Sequence, residues 1–268
     1  MQSRRSFLHD MVGSVAADRL VRAPSKEQER RNAQSIHIQT PIDRVALVKR
    51  HNPIVTTIDP LSPLSVGNGQ FAFTADVTGL QTLYETYEKA MPLCTLSQWG
   101  WHSTPRPSHL AGATLRLTPY DTHGRQVGYQ TSAEGQTDLF NWLRENPHRL
   151  HLGRLSFCRV ETSEKEIQSH DLTRIRQQLD LWSGHLTSSF NLHGQAVEVT
   201  TAVHPNSDLL AVSVVSKLIQ DGQLGVCFNF PYGSPNMPAA DWNHPEKHTT
   251  RTINRTPRRL DVRRILDD

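Results

Sequence analysis

Two tryptophans and a histidine lie within four positions of the chain, at Trp99, Trp101 and His102. The flat face of an indole suits the apolar face of a sugar ring, and nearby polar groups then hold the sugar through its hydroxyls. We expect His102, Asn68 and Asp241 to supply such polar groups. The alternative is that the two indoles close the open end of a β-sandwich and contact no ligand.

Other side chains give weaker evidence for chemistry. Carboxylates that could act as an acid or a base occur at predicted loop positions: Asp59, Asp76, Glu85, Glu88, Asp121, Asp241 and Glu246. Their spacing selects no pair of the kind that glycoside hydrolysis needs, so we assign no catalytic residue. Cys94 lies in no nucleophile motif, and the His148-x-x-His151 spacing lacks a glutamate-bearing helix, so we predict no metal site.

The composition excludes several classes of partner. The chain of 268 residues has 29 basic and 26 acidic residues and a formal charge of +3. Its basic residues cluster near the two ends, so we predict no nucleic-acid surface in the middle and interpret the ends as solvated, with phosphate binding as the alternative. No apolar run reaches the ~18 residues of a membrane span. No phosphate-binding glycine motif occurs, so we expect no nucleotide and no cofactor.

The chain has three cysteines, Cys94, Cys158 and Cys227. An odd number cannot pair completely, and none of the three forms a CxxC motif. Two of them lie in apolar, strand-like segments, where a free thiol behaves as a small hydrophobic residue. The sequence therefore predicts buried free thiols.

The N-terminus resembles a twin-arginine export signal, with the arginine pair at residues 4–5. The apolar segment that follows is short, and Asp18 interrupts it. A functional leader would place the protein in the periplasm or outside the cell, and a non-functional one would leave it in the cytoplasm. Residues 18–35 are charged and poor in apolar residues, as is typical of a linker. We expect a leader and linker over residues 1–35 and a β-sandwich domain over residues 36–268.

In the first half of the domain, Gly67, Asn68 and Gly69 predict a tight turn into an alternating strand that begins at Phe71. Residues 80–84 are expected to return as the hairpin partner of that strand. Further elements predicted here are a helix over residues 42–50, a strand over 114–117 and a helix over 138–145.

From residue 150 on, apolar and polar residues alternate with the period of a half-buried strand. Turn residues recur every ~8–12 positions, and Asp221-Gly222 predicts a two-residue hairpin. The strands expected are at residues 152–160, 175–182, 185–192, 196–203, 210–214, 224–230 and 259–266. The pattern predicts a mainly β fold, a large antiparallel and supersandwich-like β-sandwich with one or two short helices. Because the last strand ends so near residue 268, we expect the sandwich to continue beyond this chain, with a complete sheet as the alternative.

Five segments in this order resemble the N-terminal region of the six-hairpin glycosidase superfamily, which includes maltose phosphorylases and certain α-fucosidases. They are residues 65–71 (Ser-Val-Gly-Asn-Gly-Gln-Phe), residues 96–103 (Leu-Ser-Gln-Trp-Gly-Trp-His-Ser), residues 179–184 (Leu-Asp-Leu-Trp-Ser-Gly), the strand at residues 208–216 and residues 228–233 (Phe-Asn-Phe-Pro-Tyr-Gly). The resemblance implies an N-terminal β-sandwich whose loops reach towards an active-site cleft. It also implies that the catalytic carboxylates lie on a following (α/α)6 barrel, so it assigns no catalytic residue to this chain.

The function expected on this basis is the sandwich portion of a carbohydrate-active, glycoside-hydrolase-like protein. It would contribute a scaffold and loops that contact an oligosaccharide or glycoside, with a helical catalytic domain as its partner if the gene product is longer. Two alternatives stay open: a stand-alone carbohydrate-binding β-sandwich module, and a purely structural domain that packs on a partner domain. Whether the chain is itself an enzyme is left open as well.

Overall fold

The computed structural model describes residues 41–98, 100–160 and 166–267. These residues form sixteen β-strands, here listed in chain order: β1 (Ile54–Val55), β2 (Leu64–Gly67), β3 (Phe71–Ala75), β4 (Thr95–Ser97), β5 (Trp101–His102), β6 (Thr118–Thr122), β7 (Arg125–Tyr129), β8 (His148–Arg149), β9 (Arg154–Arg159), β10 (Leu172–Asp180), β11 (His185–Leu192), β12 (Gln195–Val203), β13 (Leu210–Ser216), β14 (Leu224–Asn229), β15 (Thr249–Thr256) and β16 (Arg259–Ile265). The same ranges contain four short α-helices: α1 (Arg44–Lys49), α2 (Tyr84–Glu88), α3 (Thr137–Glu145) and α4 (Lys217–Gln220). Short 3₁₀ turns lie at Ser108–Leu110, Ser169–Asp171 and Pro245–Lys247.

The strands build an antiparallel, mainly β fold in two layers. One layer is a five-stranded sheet in the order β1, β10, β11, β12, β13. The sheet β2–β3–β4 and the pair β9–β14 share a hydrophobic core with that sheet and form the opposing layer. The hairpins β6–β7 and β15–β16 and the short pair β5–β8 complete the described part. The predicted mainly β, sandwich-like fold is confirmed.

The core lies between these layers. Phe157 of β9 and Phe190 of β11 meet across it with ring centroids 6.3 Å apart. Along β12, Val197, Val199 and Thr201 are buried while the residues between them are more exposed, so the predicted alternation of this strand is confirmed. Each large apolar side chain buried in this way stabilises the fold by about 1.5–3 kcal/mol.

Residues 80–84 do not return as a strand, so the predicted hairpin is wrong. The carboxylate of Asp76 organises a buried turn instead, since its Oδ1 accepts a hydrogen bond from the Thr78 backbone N at 2.8 Å. Gly79 has a φ of +81°, and a Cβ there would lie 3.0 Å from Val199, so the turn packs directly on β12. The chain then enters α2. A carboxylate that binds nearby backbone N–H groups offers the chain an alternative to the strand ladder, and apolar periodicity does not reveal it.

The predicted hairpin at Asp221 and Gly222 is also wrong, because β14 pairs with β9 and not with β13. Ser216 begins a helical turn, and its Oγ accepts a hydrogen bond from the Leu218 backbone N at 3.2 Å. The helix α4 follows, and Gly222 lies just beyond its end with a φ of +70°. A glycine in this conformation commonly ends a helix. Asp221 and Gly222 therefore lie where the chain passes from β13 in the five-stranded sheet to β14, which pairs with β9 in the other layer.

Smaller elements are partly as predicted. The helices expected over residues 42–50 and 138–145 are confirmed by α1 and α3. Residues 114–117 are not a strand, and the next strand, β6, begins at Thr118. The hairpin partner of the last strand, β15, was not predicted. All eight of its residues are exposed, so it lacks the alternation that marks a half-buried strand.

Cys158 and Cys227 form a disulfide that joins β9 to β14, so the prediction of free thiols is wrong for both. The sequence pattern placed each cysteine in a strand but did not show that these two strands are neighbours. Cys94 is free, and burial raises the pKa of its thiol to about 11. It is therefore a protonated thiol at neutral pH.

The predicted leader and linker over residues 1–35 lie outside the described residues, as does Trp99. The described residues from Arg44 on belong to one structural unit. None of the helices in the described ranges has the length and apolar character needed to cross a membrane.

Candidate functional site

The predicted aromatic loop is held by the pairing of β5 with β8, in which Trp101 lies opposite Arg149 and His102 opposite His148. The Arg149 guanidinium carbon lies 4.8 Å from the centre of the Trp101 ring. Over half of the Trp101 surface is exposed, so this indole remains accessible to a ligand.

His102 is packed inside the protein. Its ring lies 5.2 Å from the ring of His148 and 5.0 Å from that of Tyr232. Gly233 makes room for it, because a Cβ at that position would lie 2.5 Å from the imidazole. Burial lowers the pKa of His102, although Asp267, whose Oδ2 is 3.2 Å from Nε2, acts to raise it. The imidazole is therefore neutral at physiological pH.

Asn68 ties two turns together. Its Oδ1 accepts hydrogen bonds from the backbone N of Gln70 at 2.9 Å and of Phe71 at 2.8 Å. Its Nδ2 donates to the carbonyls of His204 at 2.9 Å and Ser207 at 3.1 Å. The amide is thus engaged within the protein at both ends, which fixes the turn between β2 and β3.

Asp241 lies in a large cavity of about 930 Å³, which we call the cleft. Burial acts to raise the pKa of Asp241, but hydrogen bonds from the His244 ring at 2.8 Å and the Asn243 backbone N at 3.1 Å outweigh it, so the pKa lies below its usual value. Lys247 Nζ adds a contact at 3.4 Å. The carboxylate is therefore ionised and already partnered.

The cleft is formed by α2, the start of β9, the end of β14 and the segment after β14 up to Thr250 on β15. Its aromatic lining residues are Tyr84, Phe228, Phe230 and Trp242. Its amide and aliphatic hydroxyl lining residues are Asn229, Ser234, Asn236, Asn243 and Thr250. Its carboxylates are Glu85, Glu88 and Asp241. The wall therefore combines flat apolar surface with many groups that donate or accept hydrogen bonds.

Arg154 also lines the cleft and is 8% exposed. Its guanidinium carbon is 3.5 Å from the centre of the Tyr84 ring and 4.0 Å from that of Trp242. Burial lowers the pKa of Arg154, although nearby Tyr84 and Glu88 act to raise it. An arginine stays charged even so. The Tyr84 hydroxyl donates to Glu166 at 2.8 Å, which holds the ring against Arg154.

A second cavity, of about 520 Å³, adjoins the cleft and is here called the groove. Most of its lining is apolar, and β13 supplies Leu210, Val212 and Val214 while β14 supplies Val226. Arg154, Phe228 and Phe230 line both cavities and form their common wall.

Two of the predicted site residues, His102 and Asp241, both contact Tyr232. The Tyr232 ring packs against the His102 ring, and its backbone forms a β-bridge with Asp241. Asn68 does not line the cleft, and Trp99 lies outside the described residues. Sequence reasoning missed Arg154 and Trp242. A signal for Trp242 was present, because it directly follows Asp241 in a segment with four prolines between residues 231 and 247.

In the described ranges, no three His, Cys, Asp or Glu side chains are placed to hold a metal ion. Comparisons with protein-family models, curated proteins and solved structures find no match to this chain. The resemblance to the six-hairpin glycosidase superfamily therefore stays a prediction.

Proposed function

We propose that this chain binds a saccharide in the cleft, as the sandwich portion of a carbohydrate-active protein. The observation that carries the proposal is the lining of the cleft, in which exposed Phe228 and partly buried Trp242 lie beside three asparagines and three carboxylates. Sugar sites pair flat apolar surface with fixed polar groups in this way. The proposal assigns binding to this chain and no bond cleavage. A helical catalytic domain in a longer gene product stays part of it.

Two asparagines offer a direct test because their side chains form no hydrogen bond with any described residue. Asn236 and Asn243 are exposed, line the cleft, and use only their backbone groups in local turns. We expect Asn236→Ala with Asn243→Ala to weaken saccharide binding about tenfold, since each lost hydrogen bond costs roughly 0.5–1.5 kcal/mol. Titration calorimetry with a panel of size-matched neutral and acidic oligosaccharides measures the effect.

Asn206→Ala is the matched control, because this exposed asparagine lies in the turn after β12, outside the cleft. Trp101→Ala tests the competing site in the aromatic loop. If Trp101→Ala abolishes binding and the paired asparagine variant leaves it unchanged, the loop is the sugar site and the cleft is not. The absence of binding for every saccharide would overturn the proposal.

A second candidate function, a scaffold that packs on a partner domain, is favoured by the groove. Val226 and Phe228 expose apolar surface there, and β13 is an edge strand of the five-stranded sheet in the described residues. Under this function, Asn236→Ala with Asn243→Ala leaves every binding measurement unchanged, because these residues line the cleft and not the groove, while Val226→Lys weakens association with the partner domain.

We also propose that the protein works in the periplasm or outside the cell. The disulfide between Cys158 and Cys227 supports this compartment, since such bonds persist in oxidising surroundings. Trapping free thiols with an alkylating agent in intact cells tests it. We expect one free thiol per chain, at Cys94, and three free thiols would contradict the proposal.

A further inference from the structure

Arg154 differs from the partly buried Arg159 and Arg264 in its hydrogen bonding. Its guanidinium donates no hydrogen bond to the described residues, and its Nε is fully buried without an acceptor. At the other end of β9, Arg159 instead binds Asp171 at 2.6 Å. Arg264 donates from Nη1 to the carbonyls of His151 at 3.2 Å and Leu152 at 3.0 Å.

An unpartnered buried cation is costly to the free protein. The free-energy cost of removing a charge from water is offset only where another charge or a hydrogen-bonding group takes the place of the water. The rings of Tyr84 and Trp242 supply part of that replacement through cation–π contact. They accept none of the N–H groups in the plane of the guanidinium, so this part of Arg154 suits a ligand oxygen.

The surrounding groups of the cleft decide the sign of that ligand. Glu85 and Glu88 are exposed, so solvent screens their repulsion of an anion. Asp241 is already bound by His244 and Lys247. His248 lines the same cleft, and its two buried ring nitrogens have no partner among the described residues. The desolvated groups with unused hydrogen-bonding capacity are thus a cation and an imidazole, which favours an anionic ligand group.

We propose that the cleft binds an acidic saccharide and that Arg154 anchors its anionic group, either a uronate carboxylate or a sulfate ester. The inference rests on the proposed saccharide-binding function of the cleft and specifies the substrate class. A planar guanidinium matches both oxyanions with two parallel N–H···O bonds, and such charge-assisted bonds are about twice as strong as neutral ones. The neutral sugar rings would contact the asparagines and aromatic residues of the same wall.

The test is calorimetric titration of the full chain with three hexasaccharides: a neutral glucan, a polyuronate and a sulfated galactan. We expect one of the acidic ligands to bind about tenfold to hundredfold more tightly than the glucan at low salt. Arg154→Gln should reduce that ligand to the affinity of the glucan, and Arg154→Lys should restore part of the difference. Arg255→Gln removes the same charge from an exposed position on β15, outside the cleft, and should change nothing.

The two oxyanions are distinguished by the ligand that binds and by pH, since a uronate is protonated at about pH 3 and below, whereas a sulfate ester keeps its charge. A salt series on the unsubstituted chain is independent of how well the variants fold, and the acidic ligand alone should weaken as NaCl rises. Equal affinity for neutral and acidic ligands at all salt concentrations would overturn this inference while leaving saccharide binding intact. If no saccharide binds, the proposed function fails and the inference fails with it.

Discussion

The cleft and the groove share the wall formed by Arg154, Phe228 and Phe230, yet one cavity is polar and the other apolar. The strand β14 explains the contrast. Along the face that alternates from Leu224 to Phe228, relative exposure rises from 4% at Leu224 through 40% at Val226 to 62% at Phe228. The sandwich is therefore closed near α4 and open towards the cleft, and the same apolar pattern serves as core at one end and as surface at the other.

The largest expected effect tests whether a core and a surface phenylalanine of the β9–β14 pair differ in stability contribution as their burial indicates. Phe157 on β9 is buried against Phe190, whereas Phe228 on β14 is exposed. We expect Phe157→Ala to lower the free energy of unfolding by about 3–5 kcal/mol, because it removes apolar burial and leaves a cavity. Phe228→Ala should lower it by less than about 1 kcal/mol. Urea denaturation of both variants measures the difference.

Equal losses at the two positions would show that Phe228 is as buried as Phe157 in solution, which would contradict an open groove. Val215→Ala is a useful control, since Val215 is as exposed as Phe228 but lies on β13 outside both cavities.

The disulfide tests whether the shared wall depends on the pairing of β9 with β14. Cys158→Ser with Cys227→Ser should lower the free energy of unfolding by about 2–4 kcal/mol, because the bond closes a loop across 69 positions. Denaturation with and without reducing agent checks this, and the Cys94→Ser variant should respond to the reductant as the unsubstituted chain does. If the double variant does not respond to the reductant and has the same free energy of unfolding as the unsubstituted chain, the backbone pairing of β9 with β14 is sufficient without the disulfide.

Asp76 gives a pH-dependent test of the turn that leads into α2 and so into the cleft. Burial raises its pKa to about 6, although hydrogen bonds from Thr78 and Leu83 act to lower it. The folded-state pKa exceeds the unfolded value of 3.8, so folding favours the protonated acid. Its stabilising contribution is full below about pH 4 and is lost as the pH rises through about 6, by at most about 3 kcal/mol.

The measurement is the free energy of unfolding from pH 4 to pH 7 for the unsubstituted chain and for Asp76→Asn. The slope in this window should be smaller in the variant. Identical slopes would mean that other groups govern the dependence on pH.

The fold class could be predicted from the sequence because strands such as β12 bury every second residue over much of their length. Their partners could not be predicted, because pairing depends on how the layers are connected. Ser216 and Gly222 form a helical turn that sends β14 across to β9, and this local feature resembles a hairpin signal in sequence. The buried carboxylate of Asp76 misled the prediction in the same way.

The candidate site was predictable only in part. Asp241, which lines the cleft, could be named from the sequence because carboxylates at predicted loop positions are visible there, whereas Trp101 and His102 do not line the cleft. Arg154 was missed because an arginine at the start of a strand usually extends into solvent. Its importance depends on the rings of Tyr84 and Trp242, which come from segments about 70 and 90 residues away and meet it only in the folded chain.

The smallest expected effect compares the buried charge of Arg154 in the cleft with the more exposed charge of Lys247, which lies at the rim of the cleft beside Asp241. Lys247 is half exposed, and its Nζ lies 3.4 Å from Asp241. Lys247→Met should change the free energy of unfolding by less than about 1 kcal/mol, since exposed ion pairs contribute little. It should change the affinity for an acidic hexasaccharide by less than about threefold, because solvent and salt screen this ammonium group. A loss as large as that of Arg154→Gln in the same titration would mean that the summed field of the rim, and not the desolvated guanidinium, selects the ligand.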